Sequence, residues 1–129
     1  MFLFVYGTLM SGERRFPQLP VPPKTIHRAR TSGRLIHITP GDYPGLLEGE
    51  GTVHGELMEF DDAAETDILH TLDKIEGYYG PGQKNYYDRK SILVTREDDE
   101  VFEAWTYIYT GGGTWPEIKD GDWRRRMRE

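Results

Sequence analysis

Glu76 is a carboxylate at the end of an apolar helical stripe, a position where an acid can be tuned to carry protons. From Asp62 to Glu76 the apolar residues Ala64, Ile68, Leu69, Leu72 and Ile75 recur at helical spacing. With about 100° per residue and Ile68 at zero, Leu72, Ile75 and Leu69 span an arc from roughly 340° to 100°; Glu76 falls inside it at about 80°. Gly77 follows as the expected left-handed residue that ends the helix. An acid there faces the interior and the negative end of the helix dipole, and both disfavour its charged form. A pKa raised in this way suits general acid–base catalysis. Periodicity also allows a glutamate at a fraying helix end whose head turns to water, and Glu65, at about 60°, shares the arc. Asp73 stands at about 140°, on the flank. It is either the partner of Glu76 in a coupled acid/base dyad or a solvated neighbour of one interior acid.

A second candidate is the run Val5-Tyr6-Gly7-Thr8-Leu9, a strand that exits into a glycine turn. Consecutive backbone N–H groups exposed past a strand can form a concave site for a carboxylate, although most such turns bind nothing. The four histidines, His27, His37, His54 and His70, lack ligand spacing, so no metal site is expected. Ser11 has neither a G-x-S-x-G turn nor an obvious base, which argues against a hydrolase triad. Cysteine is absent, which removes thiolate metal sites and cysteine nucleophiles.

Several short strands and one solid helix must position these groups. Phe2 to Tyr6 reads as a strand, and Met10 to Lys24 as a loop whose prolines forbid regular structure. Thr25 to Thr39 is extended and broken near Gly33, and Pro40 to Gly45 is a turn cluster. A further strand runs from Thr52 to Phe60, after which Asp61 or Asp62 caps the helix. Asn85 to Thr95 and Val101 to Thr110 flank an acidic link and form an antiparallel hairpin. Trp115 to Trp123 closes the chain with two large aromatics to bury. This order predicts an α+β fold, a small mixed β-barrel or strongly curled sheet with a helix packed against it.

At 129 residues without a long linker, residues 1–129 read as a single domain. The formal charge is −6 and the tail from Arg124 to Glu129 contributes +3, which leaves −9 for the rest. An acidic body of this kind argues against nucleic acid as a partner. The basic tail is expected to be solvated and mobile. The N-terminal apolar run, Met1 to Val5, is too short for a signal segment or a membrane span, so a soluble, cytoplasmic protein with no membrane partner is expected.

The ordered set Val5-Tyr6-Gly7-Thr8-Leu9, Tyr43-Pro44-Gly45, Gly51 to Leu57, Leu72 to Tyr78, Tyr87-Asp88-Arg89 and Gly121-Asp122-Trp123 resembles the γ-glutamylcyclotransferase-like family, in particular its short γ-glutamylamine cyclotransferase and AIG2-like branch. The match spans nearly the whole chain. The resemblance implies a barrel of roughly six strands with flanking helices, and it assigns roles. Tyr6, Gly7, Thr8 and Leu9 correspond to the loop that binds the γ-glutamyl moiety through main-chain groups, and Glu76 to the catalytic glutamate. Tyr87 matches a tyrosine lining the pocket, and Arg89 is expected to pair with an acidic neighbour. The implied reaction is attack of the γ-glutamyl α-amine on its own γ-carbonyl, which releases 5-oxoproline and an amine or amino acid. It requires no cofactor. A small γ-glutamyl compound is the implied partner, and the chain is expected to be a monomer or weak homodimer. The alternative is a non-catalytic member of the fold that keeps the pocket for a small carboxylate-bearing ligand. Gly-Thr-Leu stands here where the glutathione-pathway enzymes carry Gly-Ser-Asn, which leaves the departing amine open.

Overall fold

The structure, a computed structural model, describes residues 1–126. Five strands close a mixed barrel: β1 (Phe2–Val5), β2 (Thr25–Ile38), β3 (Tyr43–Glu59), β4 (Tyr87–Arg96) and β5 (Val101–Tyr109), in the order β1-β3-β2-β4-β5. Neighbours are antiparallel except where β1 meets β5 in parallel, with Leu3 opposite Trp105. One helix, α1 (Glu65–Glu76), lies between β3 and β4 in the chain, and short 3₁₀ turns occupy Phe16–Gln18, Asp62–Ala64 and Trp123–Arg125. Among the described residues no helix is long and apolar enough to cross a membrane.

The α+β barrel matches the expectation, with five strands instead of roughly six and one α-helix. Two strands are long enough to bend and serve more than one stretch of wall. The pairing of β2 with β3 shifts register between Ser32 and Arg34, where Gly33 breaks the ladder. Strand β3 begins at Tyr43, well before the expected Thr52, because Tyr43, Pro44 and Gly45 pair with Ile38, His37 and Ile36. Pro44 is tolerated there, close to the start of the strand. The β4–β5 hairpin forms as expected, with Tyr87 opposite Tyr109 and Thr95 opposite Val101.

Every strand contributes side chains to the buried core. Phe4, Leu35, Leu46, Val53, Leu57, Met58 and Val94 are buried in one cluster, which Ile68 and Leu72 of α1 join. Burial of such side chains stabilises by roughly 1.5–3 kcal/mol each relative to exposure. Neither Asp61 nor Asp62 caps the helix; the chain enters it through the 3₁₀ turn, and Asp62 instead accepts from the Met1 ammonium at 2.6 Å. The expected stop is present: Gly77 has φ 66°, and Tyr78 N–H bonds back to Asp73 O at 2.9 Å.

The basic tail departs from its expected freedom up to Arg126. Trp123 is 1 % exposed, and the Arg126 guanidinium lies 3.7 Å from its ring centroid while pairing with Asp42 at 3.5 Å. Arg124 pairs with Glu13 and Glu56. A large aromatic anchor and waiting carboxylates hold these arginines down. Arg128 and Glu129 lie outside the described residues.

Candidate active site

The exit of β1 makes a tight, buried loop. Tyr6, Gly7, Thr8 and Leu9 are all buried, and the turn is held by Met10 N–H to Gly7 O at 3.0 Å and Arg15 N–H to Thr8 O at 2.8 Å. Glycine is required at position 7 by space: a Cβ there would run into Pro44 Cγ and lie 2.7 Å from Pro44 Cδ. Beyond Met10, the amide of Ser11 donates to the Glu56 carboxylate at 2.7 Å, and Ser11 Oγ donates to its other oxygen at 2.6 Å. The amides of Gly7, Thr8 and Leu9 have no such acceptor among the described residues. Buried main-chain donors are almost always paired, so three partnerless ones in sequence leave donor capacity of the kind an anion or oxyanion can take up.

Glu76 ends α1 one turn beyond the fully buried Leu72, and its side chain lines the same cavity as Tyr6, Gly7, Thr8 and Leu9. The helix end is fixed by Asp73, which accepts from Arg89 on β4 at 2.6 Å and from the Tyr107 hydroxyl on β5 at 2.7 Å. Asp73 is therefore a structural clamp and not half of a dyad, and Arg89 pairs with an acid as expected. Glu65 is also committed, accepting from Trp105 Nε1 at 3.1 Å. Glu76 makes no hydrogen bond with the described residues. Burial pushes its carboxyl up to about 7, against the opposing pull of the Arg15 cation. The solvated, fraying alternative does not describe it.

Tyrosines form the walls. Tyr87 lines the cavity, but its hydroxyl donates to Pro44 O at 2.7 Å. The Tyr6 hydroxyl donates to Tyr107 O at 2.6 Å and accepts from Leu46 N–H at 3.3 Å. Burial holds both phenols well above their ordinary pKa, as it does Tyr107, so all three stay neutral. Their rings offer shape, while their hydroxyls brace the barrel. The cavity has a volume of about 30 Å³ for a water-sized sphere, within about 390 Å³ of atom-free space that runs out into open solvent. Among the described residues no group of three or more His, Asp or Glu side chains is arranged to hold a metal ion.

Two members of the site escaped sequence reasoning. Arg15 reaches the cavity wall from the proline-rich loop and lies 5.9 Å from the Tyr43 ring centroid. No periodicity could have found it. Glu56 had a visible signal: it alternates onto the same strand face as Met58 and Phe60, an acid among apolar neighbours, and all three are buried.

A family model described as gamma-glutamyl cyclotransferase, AIG2-like, matches residues 3–125. The gamma-L-glutamyl-butirosin B gamma-glutamyl cyclotransferase of Niallia circulans is 33% identical over 124 residues, which are 95% of this chain and 75% of that protein. Among solved structures, YkqA from Bacillus subtilis superposes with a TM-score of 0.70 at 27% identity, over 98% of this chain; the match spans 40% of that chain. An AIG2-like protein from Mus musculus has the same fold, with a TM-score of 0.67 at 22% identity over 90% of this chain and 84% of that one.

Proposed function

The chain belongs to the γ-glutamyl cyclotransferase, AIG2-like family, and from that membership and the chemistry of the cavity we propose that it cyclises a γ-glutamyl compound to 5-oxoproline with Glu76 as general base and acid. One observation carries the reading: a carboxyl with a pKa near 7 lines the same cavity as Gly7, Thr8 and Leu9, whose main-chain amides have no acceptor among the described residues.

The reaction begins with the substrate's α-ammonium giving a proton to the Glu76 carboxylate. The freed nitrogen lone pair attacks the γ-carbonyl carbon, and a new C–N bond closes the five-membered ring. As the old C–N bond breaks, Glu76 returns its proton to the departing nitrogen. The ring nitrogen sheds its second proton along the same route, so 5-oxoproline and a protonated amine leave. A carboxyl that titrates near 7 is suited to both halves of this exchange.

The amides of Gly7, Thr8 and Leu9 take the substrate's α-carboxylate, and the rings of Tyr6 and Tyr87 flank the folded chain. Anchoring at one end and walls on both sides favour the ring-closing conformer, which supplies several kcal/mol of positioning, and proton transfer adds a factor on the order of 10²–10⁴. An open cavity and an inward-facing Glu76 support catalysis over a purely binding role.

The direct test is incubation with a panel of γ-glutamyl amino acids and amines, following 5-oxoproline, with Glu76→Gln in parallel. The parent protein is expected to form product and the variant to be severely impaired. Equal rates for the two would remove Glu76 from the mechanism.

A further inference from the structure

Every polar group of Ser11 is taken. Its N–H and its hydroxyl donate to the two oxygens of Glu56, and its carbonyl accepts from Arg124 Nη2. The same Nη2 lies 3.5 Å from Glu56 Oε2, and Arg124 Nε lies 3.5 Å from Glu13 Oε2. Ser11, Glu56 and Arg124 therefore close a ring of polar contacts just past Leu9. Glu56 is its fixed point: it is 6 % exposed and stands opposite Val5, the last residue of β1, where the loop begins. Arg124 arrives from far along the chain, on a turn that is itself held. Gly121 has φ 64°, a Cβ there would run into Thr52 O, and its carbonyl accepts from His54 N–H at 2.7 Å. Asp122 accepts from Arg124 N–H at 3.1 Å, and the Trp123 ring is sunk in the core. The arginine is thus carried on a turn pinned to β3.

The charges at this point give Arg124 a second part to play. Glu13 and Glu56 both face it, and neither pairs with any other cation among the described residues. Without the guanidinium, two carboxylates would stand uncompensated beside a loop whose amides are to take a substrate carboxylate. Like charges placed there disfavour its binding. The planar fork also serves three acceptors at once, the Ser11 carbonyl and both acids, which the compact ammonium of a lysine is poorly shaped to do.

We propose that Arg124 is a positioning residue: it holds the Ser11 carbonyl, offsets Glu13 and Glu56, and so keeps the amides of Gly7, Thr8 and Leu9 set for the substrate's α-carboxylate. The inference rests on the reading of the cavity as the γ-glutamyl site. Arg124 does not line that cavity, so it acts through the loop.

The experiment uses Arg124→Met, which keeps an apolar stem and removes the charge and the donors, together with Arg124→Lys. Arg125→Gln serves as the control, since Arg125 is exposed and lies 3.8 Å from Asp120. Kinetics on γ-glutamylalanine and γ-glutamylpropylamine follow 5-oxoproline. Amide hydrogen exchange, read by NMR, compares Met10, Ser11 and Arg15, whose N–H groups are bonded within the loop or to Glu56, with the β4–β5 hairpin. Arg124→Met is expected to raise KM about five- to tenfold and lower kcat by no more than about twofold, because binding is lost while Glu76 is untouched. The rising pH limb near 7 should stay in place. Exchange in the loop should quicken about tenfold with the hairpin unchanged, Arg124→Lys should fall between, and Arg125→Gln should match the parent. An unchanged KM, a loss confined to kcat, or exchange that quickens as much in the hairpin would overturn the inference. If the parent forms no 5-oxoproline from either compound, the catalytic reading fails by itself, and the exchange ratio of loop to hairpin decides this one. Should Arg124→Met fail to fold, Arg124→Lys carries both comparisons, with smaller changes in the same direction.

Discussion

Arg89 on β4 holds the Asp73 carboxylate on α1 at 2.6 Å, three residues before Glu76. The guanidinium also lies 5.2 Å from the ring centroids of both Tyr78 and Trp105, so it is gripped by its plane as well as its charge. Through this contact the helix end, and with it the acid, is fixed relative to the barrel. Arg89→Lys keeps the charge but loses the planar stack, and it is expected to cost about 1–2 kcal/mol in urea denaturation. Turnover should fall with it, while the pH of the rising limb stays put, because Glu76 keeps its surroundings.

Glu76→Gln should lower the rate of 5-oxoproline formation by about 10²–10⁴ and leave substrate affinity within a few-fold of the parent. In the parent, kcat/KM should rise with pH through about 7 as the carboxyl gives up its proton. That limb should be missing from whatever activity the variant retains. Initial rates from pH 5 to 9 on both proteins decide it.

Stability should reveal the same group without any substrate. Glu76 keeps its proton in the fold up to about 7, whereas in the unfolded chain it releases it near 4.5. Between these values the folded state binds more protons than the unfolded state, so this residue makes the protein less stable as pH rises through the window. The effect is complete above 7 and absent below 4.5. Glu76→Gln is therefore expected to exceed the parent in stability by up to about 3 kcal/mol at pH 8 and to match it at pH 4. Denaturant midpoints at the two pH values provide the check.

The Glu56 carboxylate holds the chain just past the three amides, through both the N–H and the hydroxyl of Ser11. Glu56→Gln places an NH₂ donor against one of those donors, at an expected cost of about 1–3 kcal/mol. Because the loop loosens while Glu76 is untouched, KM should rise more than kcat falls. Steady-state kinetics separate the two; a drop confined to kcat would contradict the role.

Gly7→Ala should displace the loop, since the new methyl group meets the Pro44 ring. A loss of at least tenfold in kcat/KM is expected, about 1.4 kcal/mol or more. Adding Pro44→Ala removes Cγ and Cδ and should restore part of the activity. A double variant no better than Gly7→Ala would locate the strain elsewhere.

Local rules made much of this legible. The 3.6-residue stripe put Glu76 on the inward arc, which Glu65 shares and which left a solvated helix end open, while the glycine stop marked that end, because both depend on neighbours within one or two turns. The hairpin was equally readable, its strands being adjacent in the chain. Long-range commitments were not. The Tyr6 hydroxyl finds its acceptor on Tyr107 and the Tyr87 hydroxyl finds its acceptor on Pro44, and neither pairing leaves a trace in spacing. The early start of β3 was hidden by Pro44 and Gly45, residues that read as a turn but pair with Ile36 and His37 at the barrel end. Arg15 reaches the cavity from a loop with no pattern at all.

The placement of β1 between β3 and β5 sets an order of assembly. Both of its neighbours come later in the chain, β5 nearly a hundred residues on, so β1 must wait for distant segments before it is paired on both sides. The turn at Gly7 precedes both of these partner strands in the chain and is locked only once they have formed. A half-made chain therefore holds no acid with a perturbed proton affinity, and reactivity switches on only when the ring of strands is shut.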